Sequence, residues 1–233
     1  MEYKNNLKYF KQNNKPLIFG GILIVLGVIM KIVFRNEHSW EIRQMYTLLL
    51  LAGAICVVLY FVIRPKDSEL EEQIRRFTAE DEEKAKAKVM EADKRCHIIE
   101  TLTVGDYIRE HDGLMIFRGT DGTVRTNWYS YAVIVLTTNR LYVYRKLFSV
   151  ISEDVTEEFF SYDYAAVQSC NISNETKEYT FGKQTAVQEL SWINITSDGR
   201  TLSIAAHPDS FADDFCTRLN RRLDSSKAAE PQT

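Results

Sequence analysis

The sequence predicts a membrane protein in which a two-helix transmembrane hairpin precedes a helical linker and a mainly-β domain closed by a C-terminal helix. Three observations predict this fold class. Two apolar runs, residues 17–34 and 45–63, are each long enough to cross the hydrocarbon region of a bilayer. A stretch rich in Glu, Lys and Ala follows at 67–97. After residue 98, short runs of β-branched and aromatic residues alternate with turn signals.

The apolar runs have the length and composition of membrane spans. The first reads LIFGGILIVLGVIMKIVF, with a single charge, Lys31, near its end, and the second reads MYTLLLLAGAICVVLYFVI, with none. At about 1.5 Å per residue they extend over roughly 27 and 28 Å, close to the hydrocarbon thickness. Gly20, Gly21 and Gly27 favour close packing of the two helices. A buried hairpin inside a soluble domain is the alternative.

Positive charge is concentrated at the membrane end of the chain. Residues 1–66 carry nine Lys or Arg against three Glu, including a basic tail at 1–16, and Arg64 and Lys66 follow the second run. Because Lys and Arg flank spans on the cytoplasmic side, we expect cytoplasmic termini and a location in the cell (inner) membrane. Residues 98–223 carry twelve Lys or Arg against seventeen Asp or Glu. This acidic balance argues against a nucleic-acid partner.

The cysteines and histidines form no recognisable metal or disulfide pattern. None of the four cysteines (Cys56, Cys96, Cys170, Cys216) shares a Cys-x-x-Cys spacing with another. The four histidines (His38, His97, His111, His207) are scattered, and the adjacent pair Cys96-His97 has poor chelate spacing. We therefore expect free thiols in a reducing compartment, no metal ion and no cofactor.

The linker at 67–97 has the composition of one or two solvated helices. Ser68 and Glu71 match a capping box, and Thr78 is a candidate cap for a second helix. Two interpretations of the linker stay open. It is a stalk or short coiled coil that dimerises the chain, or it is a helix lying against the membrane or the domain. Both depend on a thin apolar stripe: Leu70, Ile74, Phe77, Ala85, Val89, Ala92 and Cys96.

Strands are predicted wherever β-branched and aromatic residues cluster between turn signals. The predicted strands lie at 115–119, 128–138, 141–147, 158–162, 166–172, 178–187, 190–196 and 201–206. Asp121-Gly122, Asn139-Arg140 and Asp198-Gly199 are the predicted hairpin turns.

A final helix is predicted at 210–223, because Phe211, Phe215, Leu219 and Leu223 recur at four-residue spacing. His207 or Asp209 is its expected N-cap. The tail at 224–233 is expected to be disordered.

Two segments resemble bacterial pleckstrin-homology-like (PH-like) and GRAM-like domains. The run VLTTNRLYVYRK at 135–146 is similar to their strand–turn–strand unit, and FFSYDYAAV at 159–167 resembles the strand entry that follows it. With the final helix, the resemblance covers about residues 98–223. It implies a barrel of about seven strands closed by the helix, and a non-catalytic binding role, because PH-like domains are mostly binding modules.

The chain departs from the phosphoinositide-binding members of that family. Those members carry a Lys/Arg cluster between their first two strands, whereas this chain offers only Arg125 there, with Arg118 just before. We therefore expect no phosphoinositide binding. The candidate ligand-surface residues are Arg118, Arg125, Arg140, Arg145 and Lys146, for which ordinary surface charge is the alternative.

No catalytic motif is present in the sequence: there is no G-x-S-x-G, HExxH, P-loop or GxGxxG. We expect a non-enzymatic, membrane-anchored scaffold that presents a binding surface to a protein partner or to a second copy of itself. One alternative is a membrane effector gated by a small molecule, in which ligand binding to the barrel makes the spans assemble or disrupt the bilayer. Another is an accessory subunit of a membrane complex. An open polar cavity with convergent Arg, Tyr or Trp side chains would favour the effector.

Overall fold

The computed structural model describes residues 1–11, 14–35, 39–63, 65–181, 184–208 and 211–229. The chain divides into two compact units. The helical unit is Lys4–Lys66, and the β unit contains residues from Asp67 onward together with Met1–Tyr3. Arg64, Glu37, His38, Asp209 and Ser210, which entered the sequence predictions, lie outside the described residues.

Three helices, α1 (Tyr3–Phe10), α2 (Lys15–Val33) and α3 (Trp40–Ile63), account for most of the helical unit. Glycine allows α2 and α3 to approach closely. A Cβ atom on Gly20 would lie 3.0 Å from the Gly53 carbonyl oxygen, and one on Gly27 would lie 2.8 Å from Leu50 Cγ. The packing prediction is therefore confirmed for Gly20 and Gly27. It is wrong for Gly21, where an added Cβ would meet nothing within 4 Å.

Both α2 and α3 are long and apolar enough to cross a membrane. Their large apolar side chains are mostly exposed within the unit, as shown by Ile18 (60% exposed), Leu48 (63%) and Val62 (73%). The alternative of a hairpin buried in a soluble core does not describe this arrangement, because only 11% of the apolar window of α2 is buried.

The predicted linker consists of two helices, α4 (Asp67–Thr78) and α5 (Asp81–Ala92). Ser68 lies inside α4 and not at its N-cap, so the capping-box prediction is wrong. Ala85 and Val89 on α5 are fully buried in one cluster with Val133 and Tyr142. This apolar face of α5 lies against its own β unit, as the second interpretation of the linker requires, and it is not left open for a coiled coil.

The β unit continues with nine strands among the described residues. They are β1 (Ile98–Tyr107), β2 (Ile116–Arg118), β3 (Val124–Thr126), β4 (Trp128–Thr137), β5 (Arg140–Ser149), β6 (Val155–Asp163), β7 (Val167–Phe181), β8 (Gln184–Ser197) and β9 (Arg200–Ala206). All paired strands are antiparallel.

Within the described residues, the strands form three separate sheets and no closed barrel. The orders are β1-β4-β5-β6 in a four-stranded sheet, β2-β3 in a hairpin and β7-β8-β9 in a three-stranded sheet. The prediction of one barrel is wrong, because alternating apolar residues specify which face is buried but not whether two edges are hydrogen-bonded. The separate strands predicted at 166–172 and 178–187 are also wrong. The polar stretch between them belongs to one long strand, β7, which ends at Phe181.

The predicted hairpin turn at Asp198-Gly199 is confirmed, and it joins β8 to β9. Both residues have positive φ, 50° and 73°, as a type I′ hairpin turn requires. The turn predicted at Asn139-Arg140 lies one residue earlier, because Thr138 and Asn139 join β4 to β5 and Arg140 is the first residue of β5.

The main core lies between the two larger sheets and the final helix, α6 (Ala212–Ala229). Phe215, Leu219 and Leu223 are buried in it as predicted, whereas Phe211 is 79% exposed. The helix extends beyond residue 223, so the prediction of a disordered tail from 224 is wrong as far as Ala229. Residues 230–233 lie outside the described residues.

Alternation along β4 buries both faces of the four-stranded sheet. Ile134 faces the main core, and its neighbours Val133 and Val135 face α5.

Candidate ligand-binding site

A cleft of about 440 Å³ opens in the β unit. Its wall is formed by residues 108–111, which follow β1, and by side chains from both larger sheets. Ser130 and Arg145 come from the four-stranded sheet, and Trp192 and Ser203 come from the three-stranded sheet. This volume lies within the range of small-molecule sites in proteins.

Arg109 is the most unusual group on the cleft wall. Its side chain is only 1% exposed. Its Nε and Nη1 atoms have no hydrogen-bond partner among the described residues. The nearest carboxylate oxygen, Asp106 Oδ1, lies 3.8 Å from Nη2, which is too far for a hydrogen bond. A desolvated guanidinium is therefore held in the wall without the hydrogen bonds that normally compensate a buried charge.

Asp106 is the ion-pair partner of Arg109, but its carboxylate makes no hydrogen bond to the guanidinium. Its Oδ1 atom accepts a hydrogen bond from the Tyr107 backbone N–H at 2.7 Å. Burial raises the pKa of Asp106, while the charge of Arg109 opposes that shift. Burial also lowers the pKa of Arg109, with Asp106 opposing. An arginine nevertheless stays charged at neutral pH, because its ordinary pKa is above 12.

Tyr179 on β7 adds a second unpaired group beside Arg109. Its hydroxyl is buried and has no hydrogen-bond partner among the described residues. Burial raises its pKa, and the positive charge of Arg109 acts against that rise, so the two groups interact electrostatically. Within the described part of the chain, every buried side-chain nitrogen or oxygen without a hydrogen-bond partner belongs to Arg109 or Tyr179. Unmet hydrogen-bonding capacity in the β unit is thus concentrated at one place.

The remaining charges at the cleft are mostly paired. Arg145 Nε donates a hydrogen bond to Glu158 at 2.7 Å, and Glu110 accepts one from Lys177 at 2.9 Å. Glu175 also lines the cleft. Two arginines and two glutamates therefore face the same space, and their formal charges cancel.

Aromatic rings flank the cleft. The His111 ring stacks on Trp128 with the ring centroids 4.0 Å apart. Trp192 and Leu190 from β8 lie on the wall, together with Leu147 from β5. The cleft therefore combines an apolar wall with one buried guanidinium whose hydrogen-bonding capacity is only partly used, and small-molecule sites commonly show this composition.

Of the five candidate ligand-surface residues, only Arg145 is placed on this cleft. Lys146 lies on the opposite face of β5, where its Nζ is bonded to Asp81 at 2.8 Å. Arg125 is buried and bonded to Glu71 and Asp121, at 2.8 and 2.7 Å. Arg140 pairs with Asp163 at 2.8 Å on the surface, and Arg118 lies half-buried at the end of β2.

Arg109 was not among the sequence candidates. The only local signal is its place after Ile108, two residues beyond the end of β1 at Tyr107. Its burial depends in part on β7, about 70 residues further along the chain, because Tyr179 approaches it from there. The helical and strand periodicities of the sequence carry no information on a contact between residues so far apart in the chain.

Comparison of the chain with known protein families, curated proteins and solved structures found no match. The resemblance to PH-like domains stays a prediction, and the site is interpreted from its own geometry.

Proposed function

We propose that the chain is a membrane-anchored, non-enzymatic binding protein whose β unit binds a small ligand in the cleft. The observation that carries this proposal is the buried guanidinium of Arg109, two of whose nitrogens have no hydrogen-bond partner among the described residues, on the wall of a 440 Å³ space. An arginine does not titrate near neutral pH, so it can hold an anion but cannot move protons as a general acid or base. Binding accounts for this geometry better than catalysis.

The proposed anchor is the pair α2 and α3. Each is long and apolar enough to cross a membrane, and each exposes its large apolar side chains. The Lys and Arg residues around the spans favour cytoplasmic termini, which would place the β unit in the cytoplasm at the cell (inner) membrane. The four cysteines, all free thiols, are compatible with that reducing compartment.

The cleft favours a ligand-sensing protein over a scaffold that offers only an outer surface. A small-molecule-gated effector is therefore the second candidate, and one observation supports it. α4 begins four residues after α3 ends and is bonded to the β2–β3 hairpin. In that contact, Asp67 accepts hydrogen bonds from the backbone and hydroxyl of Thr120, at 2.7 and 2.5 Å. The helix that follows α3 in the chain is thus hydrogen-bonded to the turn between β2 and β3.

The anchor is tested by membrane fractionation. Replacing Leu51 and Ile55, both exposed on α3, by Arg is expected to abolish stable insertion, since each Arg costs about 2.5–3.5 kcal/mol at the centre of a span. Val187→Arg, at an exposed position on β8, is the control and should stay in the membrane fraction. Unchanged fractionation of the α3 variant would refute the two-span anchor.

The cleft is tested by native mass spectrometry of the full chain, purified in detergent from cells that express it. We expect a small molecule to stay bound to the wild type and to be lost from Ser203→Trp, whose indole would fill the cleft. Thr201→Trp, on the same strand but outside the cleft, is the matched control. A molecule retained by Ser203→Trp would place binding elsewhere and overturn the cleft as the site.

A further inference from the structure

We propose that the cleft selects a small organic anion, in which one compact oxyanion (a carboxylate or a phosphate ester) lies against Arg109 and an apolar body lies against Trp192. This inference rests on the proposed binding function and specifies its ligand class. It differs from the expectation of a protein partner, and it also differs from phosphoinositide recognition by a surface cluster of basic residues.

Arg109 supplies the attraction for the oxyanion. Two of its three guanidinium nitrogens are buried without a hydrogen-bond partner among the described residues. An oxyanion that enters the cleft would gain charge-assisted hydrogen bonds, which are about twice as strong as neutral ones. Asp106, the ion-pair partner of Arg109, lies 3.8 Å from Nη2 and makes no hydrogen bond to the guanidinium.

Ser130 is the second donor that the cleft provides. It is 3% exposed and lies on the wall of the cleft. A serine hydroxyl rotates to suit its partner, so it can donate to an oxyanion bound at Arg109.

The charges around the cleft limit the ligand to a single anionic group. Arg145 is already engaged by Glu158, with an Nε–Oε2 distance of 2.7 Å. The carboxylates of Glu110 and Glu175 line the same space and would repel further negative charge. Glu110 and Glu175 therefore exclude polyphosphates from the cleft, whereas a single oxyanion can still bind at Arg109.

The opposite wall determines what the oxyanion is attached to. Trp192, Leu190 and Leu147 contribute apolar surface, and Trp192 is half-buried, so one part of its indole remains accessible. A ring or a compact hydrocarbon would bury this surface, at roughly 25 cal/mol per Å² removed from water.

The inference is tested with four probes on the full chain in detergent: benzoate, phenyl phosphate, the neutral isostere benzamide, and inositol trisphosphate. Binding is followed by the rise in melting temperature and by tryptophan fluorescence. We expect benzoate or phenyl phosphate to bind, and the stronger of the two identifies the oxyanion as carboxylate or phosphate ester. Benzamide and inositol trisphosphate should bind at least about 30-fold more weakly, because one lacks the charge and the other carries too much.

Arg109→Met is the decisive variant, with Arg221→Met on the exposed face of α6 as its control. Arg109→Met should weaken anion binding about 30-fold or more, whereas Arg221→Met should bind as the wild type does. Arg109→Met also leaves the buried Asp106 carboxylate without its ion-pair partner, so the melting temperature without ligand is measured for each variant and binding is compared only between folded proteins. Ser130→Ala, a smaller change, should weaken binding several-fold without unfolding the unit.

Two results would overturn the inference while leaving the proposed function intact. One is equal binding of benzamide and benzoate, and the other is full anion binding by Arg109→Met. A molecule that co-purifies in the cleft while none of the four probes binds would likewise overturn the ligand class alone. If neither a co-purified molecule nor any probe occupies the cleft, both the ligand class and the binding function are wrong.

Discussion

Lys146 on β5 donates hydrogen bonds to both carboxylate oxygens of Asp81 on α5, over Nζ–Oδ2 and Nζ–Oδ1 distances of 2.8 and 3.1 Å. Both side chains are less than a tenth exposed, and Lys146 Nζ also bonds to the Phe77 carbonyl at 3.2 Å. Neighbouring residues on a strand point to opposite faces, so Arg145 reaches the cleft while Lys146 holds the helix. One strand thus links the packing of α5 to the geometry of the candidate site.

The first prediction concerns this buried pair. Asp81→Ala should lower the free energy of unfolding by about 3–5 kcal/mol, because it leaves the Lys146 ammonium buried without a counter-charge. Denaturant unfolding of the full chain, followed by tryptophan fluorescence, measures the loss. Glu157→Ala removes the half-exposed partner of Lys84 and should cost about 1 kcal/mol or less. Equal losses in the two variants would show that burial does not set the strength of the Lys146–Asp81 pair.

The second prediction concerns the attachment of α6 to β7. The Asn220 amide accepts a hydrogen bond from the Cys170 backbone N–H at 2.9 Å and donates one to the Cys170 carbonyl at 2.7 Å. Asn220→Ala leaves both backbone groups without their partner and should destabilise the β unit by about 1–3 kcal/mol. Arg221→Ala, one residue further along and exposed, should change stability by about 0.5 kcal/mol or less. If the two variants have the same melting temperature, water replaces the Asn220 amide and its hydrogen bonds to Cys170 do not stabilise the β unit.

The third prediction concerns the contact between α2 and α3. A Cβ atom on Gly53 would lie 2.7 Å from Ile24 Cγ1 and 2.8 Å from the Gly20 carbonyl oxygen, so Gly53→Leu should force the helices apart. Overpacking of this kind costs about 1–3 kcal/mol. The readout is maleimide labelling of Cys56, which lies against Gly20 and should react faster when the helices separate. Gly21→Leu, at a position with nothing within 4 Å, is the matched control, and faster labelling there would contradict the packing.

The fourth prediction concerns acid. The Arg125 guanidinium, bonded to Asp121, lowers the pKa of that carboxyl from 3.8 to about 2. A carboxyl whose pKa is depressed in the folded state stabilises that state above its unfolded pKa and loses the contribution as pH falls. The wild type should therefore be more stable than Asp121→Asn at neutral pH. The difference should shrink between pH 3.8 and about 2.

Melting temperatures across that range test the prediction. The same Asp121→Asn comparison in an Arg125→Met background should depend much less on pH, because the largest cause of the lowered pKa is gone while the hydrogen bond from the Thr123 backbone N–H remains. If the difference in melting temperature between wild type and Asp121→Asn stays constant down to pH 2, the charge of Asp121 is not the cause of that difference.

The elements that sequence predicted well are those set by local composition. The apolar runs correspond to α2 and α3. Asp198-Gly199 forms the predicted turn because both residues tolerate positive φ. Phe215, Leu219 and Leu223 became the buried face of α6 because their spacing is helical.

The features that sequence missed depend on contacts between distant segments. The alternation of apolar residues along the strands could not show that the sheets stay open. Whether two edge strands are hydrogen-bonded does not change which of their residues are apolar. The exposed, polar middle of β7 looked like a loop for the same reason. Arg109 became a candidate only when β1 and β7 were seen together, because its lack of a partner is a property of the folded surroundings.

The last prediction tests the second buried face of the four-stranded sheet. Val135 on β4 is 1% exposed and lies in one cluster with Ala85 and Val89 of α5. Val135→Asp would place a carboxylate in an apolar layer without a partner, and we expect a loss of more than about 3 kcal/mol or failure to fold. Val155→Asp on β6 makes the same substitution at a position that is 41% exposed, and should cost about 1 kcal/mol. Purified full chain is compared by thermal melting and by yield. Equal melting of the two variants would mean that α5 does not cover this face in solution, and that Lys146 and Asp81 are not the buried pair described above.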